Sequence, residues 1–260
     1  MNKMDEHLLQ AITADARTGG RKKVDYRDIS IEYGVIKSAE GSAKLTIGDT
    51  VVIAGVKMSL EKPYADTADQ GNLMVNVELL PLSSNKFESG PPSLTAIELA
   101  RVTDRGIRES HAIDTKKLCV KKGEAVWAVI VDICTVNAAG NLFDACSLAA
   151  IAAIKNTKFP VVEDLGGENQ KVNYKEHTEE TLPLQSTPIG VTVCKMGNNL
   201  VVDPSEEEEV LIEGRLTVTS DENGTICAMQ KGGDAVFTIK EVEQIFDIAL
   251  ENAKMLRAKL

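Results

Sequence analysis

Between Tyr26 and about Leu80 the apolar residues fall in short runs rich in Val, Ile and Thr: Ile29 to Lys37, Ser42 to Ile47, Thr50 to Met58 and Leu73 to Leu79. Turn residues separate them, notably Ala39-Glu40-Gly41-Ser42 and Gly48-Asp49, so the pattern predicts four strands of an antiparallel meander. Upstream, His-Leu-Leu-Gln-Ala-Ile in an otherwise polar stretch predicts a short helix over 4–16. Gly19-Gly20 ends it, and it is expected to be an appendage to the main body. Downstream, proline and serine through 81–92 break the strand pattern. That segment is long for a plain loop and is expected to be exposed or to lie at an interface.

The period then changes. Ser93 is a ready N-cap for a proline-free helix reaching about His111. A strand over Ala125 to Asn137 precedes Asn141 and a helix of small residues, Ala145 to Asn156. Gly166-Gly167-Glu168-Asn169-Gln170 and the polar stretch to Pro183 read as a lobe boundary. After it the pattern partly recurs: strands at Ile189 to Lys195, Leu200 to Val202, Leu216 to Ser220 and Thr225 to Gln230, then a helix from Ile239 to Leu260. The predicted organisation is α/β: a helical extension (1–25), a first lobe (26–165), a connecting segment (166–187) and a second lobe (188–260).

Arg101, Arg105 and Arg108 stand at i, i+4 and i+7 on the 93–111 helix, within an arc of about 60°. Ala96, Leu99, Ala100, Thr103 and Ile107 lie broadly opposite and are expected to pack on a sheet. On the residues alone, the simpler reading of this basic stripe is a solvated face pairing with Glu98, Asp104 or Glu109.

Composition narrows the function classes. A net charge of −10 argues against wrapping nucleic acid over the whole surface, so any such contact must be local. Aromatic content of 4%, with one Trp, removes the stacking platforms of stand-alone single-strand binders. No apolar run is long enough for a membrane span and the first residues lack the apolar core of a signal peptide, so a cytoplasmic protein is expected. Cys119, Cys134, Cys146, Cys194 and Cys227 form no Cys-x-x-Cys pair, and with three histidines in the chain they read as buried free thiols rather than a zinc site. Neither a metal nor a cofactor is expected.

Three passages carry a resemblance: Tyr26-Arg27-Asp28-Ile29 leading to Ala39-Glu40-Gly41-Ser42-Ala43, then Gly48-Asp49-Thr50-Val51-Val52, then Glu98-Leu99-Ala100-Arg101-Val102-Thr103-Asp104-Arg105. In this order and spacing they resemble the RNase PH family, most closely its non-catalytic branch in the archaeal exosome, from about residue 17 to the last helix. The resemblance implies an RNase PH-like fold of two pseudo-symmetric βαβ-type, ribosomal-protein-like lobes, with mixed sheets and helices packed between them. It also implies a hexameric ring in which three copies alternate with three of a catalytic RNase PH-like partner. Accessory RNA-binding cap subunits sit on that ring, and single-stranded RNA is degraded from its 3' end with phosphate as the attacking group.

The resemblance further implies that Arg101 and Arg105, and in lower rank Arg108, grip the RNA backbone beside the partner's site. Arg108 has a competing role, anchoring its helix to a neighbouring acid. Arg21-Lys22-Lys23 and Arg27 are expected to be an exposed strand entry or a subunit contact.

Active relatives carry a Gly-Gly-Thr-Arg-Ser/Thr type turn for phosphate. Here the turn reads Gly140-Asn141-Leu142-Phe143-Asp144, and Asp144 is expected to cap the helix with its own charge where the anion would sit. Of two family acids six residues apart, Asp203 matches the first and Glu209 falls at the second. Asp203 reads as a turn residue or an inherited remnant, and Glu206 to Glu209 as a solvated acidic helix start. The expected role is therefore structural and RNA-positioning, with no catalytic residue in this chain. Two other classes stay open. One is an active phosphate-dependent 3'-to-5' exoribonuclease, resting on Asp203 and the arginines. The other is a small-molecule enzyme, which would need a phosphate loop or nucleophile set that is not found; Gly232-Gly233-Asp234 is more simply a hairpin-to-helix turn.

Overall fold

Gly48, at a φ of 55°, reverses the chain between β2 (Gly41–Ile47) and β3 (Thr50–Glu61), whose side chains alternate between core and half-covered faces as the sequence pattern requires. The computed structural model describes residues 3–163 and 171–260. The expected lobe boundary at 166–170 lies outside the described residues. β1 (Ile29–Tyr33) pairs antiparallel with β2, and β2 with β3, so three strands of the predicted meander form.

The fourth does not. β4 (Asn72–Glu78) runs parallel to β6 (Ala125–Asn137), and β6 runs antiparallel to β3, giving the order β1-β2-β3-β6-β4 with β5 (Cys119–Lys121) pairing on β6. Alternation sets which face of β4 is buried; the choice of neighbour is a long-range matter that alternation does not encode. The second sheet has the order β10-β9-β11-β12, from β9 (Ile189–Met196), β10 (Asn199–Val202), β11 (Gly214–Ser220) and β12 (Ile226–Gly233), all antiparallel. β7 (Lys158–Glu163) and β8 (Lys171–Thr181) form an unforeseen hairpin, because β8 is too polar for its alternation to register.

Four α-helices complete the described structure. α2 (Leu94–Glu109) starts where Ser93 Oγ accepts the Ala96 N–H at 3.2 Å, as expected. α3 (Leu142–Lys155) is buried from Asp144 to Ile154 and packs on β2 and β3 on one side and on β9 on the other, so it is the slab shared by both sheets. Its alanines permit that closeness. α4 (Ile239–Arg257) covers β9 and β11 behind a Thr238/Glu241 capping box.

α1 (Lys3–Thr13) is less of an appendage than expected. Ile12 is buried in a small cluster with Cys194, Met196, Val201 and Leu211, and Thr13 Oγ1 meets Asn199 Nδ2 at 3.1 Å, so the helix is pinned to the second lobe. It also ends earlier than Gly19-Gly20: Asp15 takes a left-handed φ of 57°, and the two glycines instead form a 3-10 turn beside Arg17.

Gly41 marks where β2 meets α3. A Cβ there would lie 2.6 Å from the Ala153 carbonyl oxygen and 2.6 Å from Thr157 Cα, both backbone atoms. Gly41→Ala is therefore expected to destabilise the chain by about 1–3 kcal/mol, read as a lower urea midpoint at unchanged slope.

Candidate functional site

The inner face of α2 buries Ala96, Leu99, Val102, Thr103, Gly106 and Ile107, which leaves its arginines on the outside. Arg101, Arg105 and Arg108 are all exposed and border a groove of about 340 Å³ between α2 and β4. They differ in what they hold. Arg108 Nε and Nη2 clasp Asp104 at 3.0 and 2.7 Å, and Nη2 also reaches the Leu73 carbonyl of β4 at 2.9 Å. Among the described residues, the side chains of Arg101 and Arg105 have neither a hydrogen-bond nor an ion-pair partner. The anchoring role weighed for Arg108 is thus present, and two free guanidinium groups remain.

Of the basic residues near the N-terminus, Lys22 is exposed, but the arginines turn inward. Arg17, whose side chain is 0% exposed, meets Glu208 Oε1 and Oε2 at 2.9 and 2.7 Å and the carbonyls of Val202 and Asp203 at 2.9 and 2.7 Å. Arg27 Nε and Nη2 fork onto Asp203 at 2.9 and 2.7 Å, and Arg21 Nη1 joins at 3.1 Å. Asp203 is completely buried at a φ of 45°. It also takes the Arg27 N–H at 2.8 Å and Asn141 Nδ2 at 3.0 Å. It is a structural junction at a turn, in keeping with the turn-residue reading. The acidic run is not simply solvated either. Glu208 is buried in a 3-10 turn, and burial, which alone would raise its carboxyl, is outweighed by the Arg17 and Ser205 hydrogen bonds, leaving it below the usual range.

Asp144 departs from expectation too. Asn141, left-handed at a φ of 57°, stands at the N-cap without a side-chain cap bond, and the Asp144 carboxylate turns inward. It accepts from Tyr26 Oη at 2.6 Å, the Thr192 N–H of β9 at 2.8 Å and Asn141 Nδ2 at 3.1 Å. Burial pushes it up to about 7, against the pull of those three hydrogen bonds. The carboxylate at the start of α3 is Glu209, whose Oε1 accepts the Asn141 N–H at 3.0 Å. Glu209 holds the position expected of Asp144 because the long 204–213 loop of the second lobe folds back onto the turn.

Beside that turn lies a cavity of about 370 Å³, open to the α2 N-terminus. Its cations are matched: Lys86 pairs with Glu206 at 2.8 Å and Arg215 with Glu98 at 2.5 Å, while Glu209 adds a carboxylate bonded to a backbone N–H. The balance of charge disfavours an anion. Arg17, Arg215, Glu98 and Tyr26 were not singled out by sequence reasoning for these contacts, since only the fold brings them to their partners. Among the described residues no cluster of three or more His, Cys, Asp or Glu could hold a metal. All five cysteines are free; only Cys146 and Cys194 are fully buried, and burial raises the Cys146 thiol to about 12.

Comparison with known proteins follows the same two-lobe division. Residues 25–160 match the model of the 3' exoribonuclease family, domain 1, and residues 186–252 that family's domain 2. The chain is 44% identical to Exosome complex component Rrp42 of Thermococcus kodakarensis, covering 99% of this chain and 94% of the relative. It is 47% identical to the protein of the same name from Methanocella arvoryzae, over 94% and 90%. Among solved structures, it resembles a chain of the Archaeoglobus fulgidus exosome with RNA bound to the active site, with a TM-score of 0.89 and 42% identity over 98% of this chain and 97% of that one. A chain of an archaeal exosome core gives a TM-score of 0.85 at 39% identity, over 98% and 95%.

Two outcomes test the buried network. Arg17→Ala strands the Glu208 charge and is expected to cost about 3–5 kcal/mol, read by thermal or urea unfolding, with Arg17→Lys recovering only part because it lacks the fork. Asp144 keeps a proton in the folded chain to about pH 7 that the unfolded chain sheds near its ordinary pKa of about 4. Its contribution to stability therefore falls as pH rises between those values and is flat above. The stability of the wild type minus that of Asp144→Asn is expected to shrink from about pH 4 to about pH 7 and then level off; a pH-independent difference would contradict the assignment.

Proposed function

The chain belongs to the RNase PH-type 3' exoribonuclease family, and on that premise we propose that it is a non-catalytic subunit of an exosome, an RNA-degrading complex. It holds single-stranded RNA through Arg101 and Arg105 while a catalytic RNase PH-like partner performs the phosphorolysis. The observation that carries this reading is the contrast between two neighbouring surfaces. On α2 two guanidinium groups are unspent, whereas in the adjacent cavity every cation is matched and a carboxylate occupies the start of α3. Phosphodiester oxygens suit the first surface, since a planar guanidinium takes them in pairs without reading bases. Inorganic phosphate does not suit the second. Asp203, the acid on which an active exoribonuclease would rest, is fully buried and held by Arg21 and Arg27.

The assembly we propose is a hexameric ring of three such chains alternating with three catalytic partners, with accessory RNA-binding subunits as its cap. Support comes from the RNA-bound exosome and the exosome core that share this chain's fold. Arg108 has its part in the same face by seating the helix on β4. Among the described residues no helix is long and apolar enough to cross a membrane; we place the complex in the cytoplasm.

Phosphate-dependent decay of a 3'-labelled poly(A) strand is expected with this chain and a catalytic relative mixed, and not with this chain alone; release of nucleoside diphosphates by this chain alone would refute the reading. Within the mixture, Arg101→Ala with Arg105→Ala is expected to weaken RNA binding about tenfold or more while the ring persists. The log–log salt dependence of affinity should flatten by roughly 0.7 for each phosphate that the variant no longer neutralises. Unchanged affinity and slope would remove α2 from the RNA path.

A further inference from the structure

Arg101 and Arg105 belong to a longer ridge. At ~100° per residue, Glu98, Arg101, Arg105 and Arg108 fall within an arc of about 80° on α2. The two ends of the ridge are fastened and its middle is free. At the C-terminal end Arg108 bonds to the Leu73 carbonyl of β4, in the first lobe. At the N-terminal end Glu98 Oε1 pairs with Arg215 Nη2 at 2.5 Å, and Arg215 is on β11 of the second lobe.

Arg215 is itself held in place. Its guanidinium carbon lies 4.3 Å from the centroid of the Phe143 ring on α3. Gly232, its register partner on β12, leaves the space: a Cβ there would come within 2.6 Å of the guanidinium carbon. One side chain thus joins β11, the start of α3 and α2 through a charge pair and a cation–π contact. Its side chain is 20% exposed, against 41% for Glu98, so the pair is partly shielded from solvent screening.

We infer that Arg215 is a positioning residue for RNA binding: through Glu98 it fixes the pitch of α2 against the second lobe, so that Arg101 and Arg105 project as a preset pair. This rests on the RNA-binding reading of α2 given above. Two guanidinium groups one helical turn apart are ~6 Å apart along the axis, and a helix free to roll would have to be ordered at the moment of binding, at a cost in affinity. Arg215 itself touches no RNA. Its charge is spent on Glu98, and loosening either partner should act only through the stripe.

The test is a double-mutant cycle on RNA affinity in the complex with a catalytic relative, measured by fluorescence anisotropy of labelled single-stranded poly(A). The single changes are Glu98→Gln, on a half-exposed residue whose loss leaves the core intact, and Arg215→Met, which keeps the stem and removes the charge. Each is expected to raise Kd about threefold to tenfold. Placed on the Arg101→Ala/Arg105→Ala background, each is expected to add nothing, because the groups they orient are gone. Losses that multiply across the cycle would mean Arg215 meets RNA by another route, and full affinity in both single variants would mean the pair orients nothing; either overturns the inference while leaving the RNA reading intact. If Arg101→Ala/Arg105→Ala alone has no effect, the RNA reading fails and the positioning role falls with it.

Discussion

Burying a carboxylate is tolerable only if cations or strong donors are buried with it, and Asp144, Asp203 and Glu208 are buried together around the start of α3 and the 203–208 turn. Asp203 and Glu208 are met by Arg17, Arg21 and Arg27, and Asp144 by a phenol, an amide and a backbone N–H. Because Arg17, Arg21 and Arg27 come from the N-terminal segment and the acids from the second lobe and α3, satisfying these charges fixes several elements at once. The segment before β1 is drawn across the second lobe, the 203–208 turn is locked, and α3 is oriented by Asn141, which bridges Asp144 and Asp203. The twin sheets and the alanine-rich α3 supply the apolar area; the ion network supplies the register between them.

The same rule of pairing separates the two faces beside the core. Where a cation has found an acid, as with Lys86, Arg108 and Arg215, it is committed to architecture. Where it has not, as with Arg101 and Arg105, it is available to an external anion. The carboxylate of Glu209 at the start of α3 uses the N–H that an anion would need. Charge is thus spent inside the cavity and left over on α2, a division that suits a chain which holds a polyanion without acting on it.

Much of the fold was legible because local rules govern it. β2, β3 and β6 show the period-two alternation of half-buried strands, Ser93 and Thr238 cap their helices, and the small residues of 145–156 predict a helix there. The arginine stripe was legible for the same reason, since helical spacing alone puts its members on one face. The resemblance carried by Tyr26 to Ala43, Gly48 to Val52 and Glu98 to Arg105 led to the two-lobe family that the comparisons bear out. The β7–β8 hairpin was illegible because β8, Lys-Val-Asn-Tyr-Lys-Glu-His-Thr-Glu-Glu-Thr, buries too little to pattern its side chains.

What the sequence by itself determined is the strands and helices with a clear apolar period, the outward arginines of α2 and the family. What only the tertiary structure decided is which charges are partners: Arg17 with Glu208 across 191 positions, Arg27 with Asp203 across 176, Glu209 rather than Asp144 at the start of α3, Arg215 with Glu98. The physical reason is range. Helical and strand periods are set by neighbours a few residues away, whereas an ion pair requires only that two side chains meet within about 4 Å, and that proximity is a property of the folded chain.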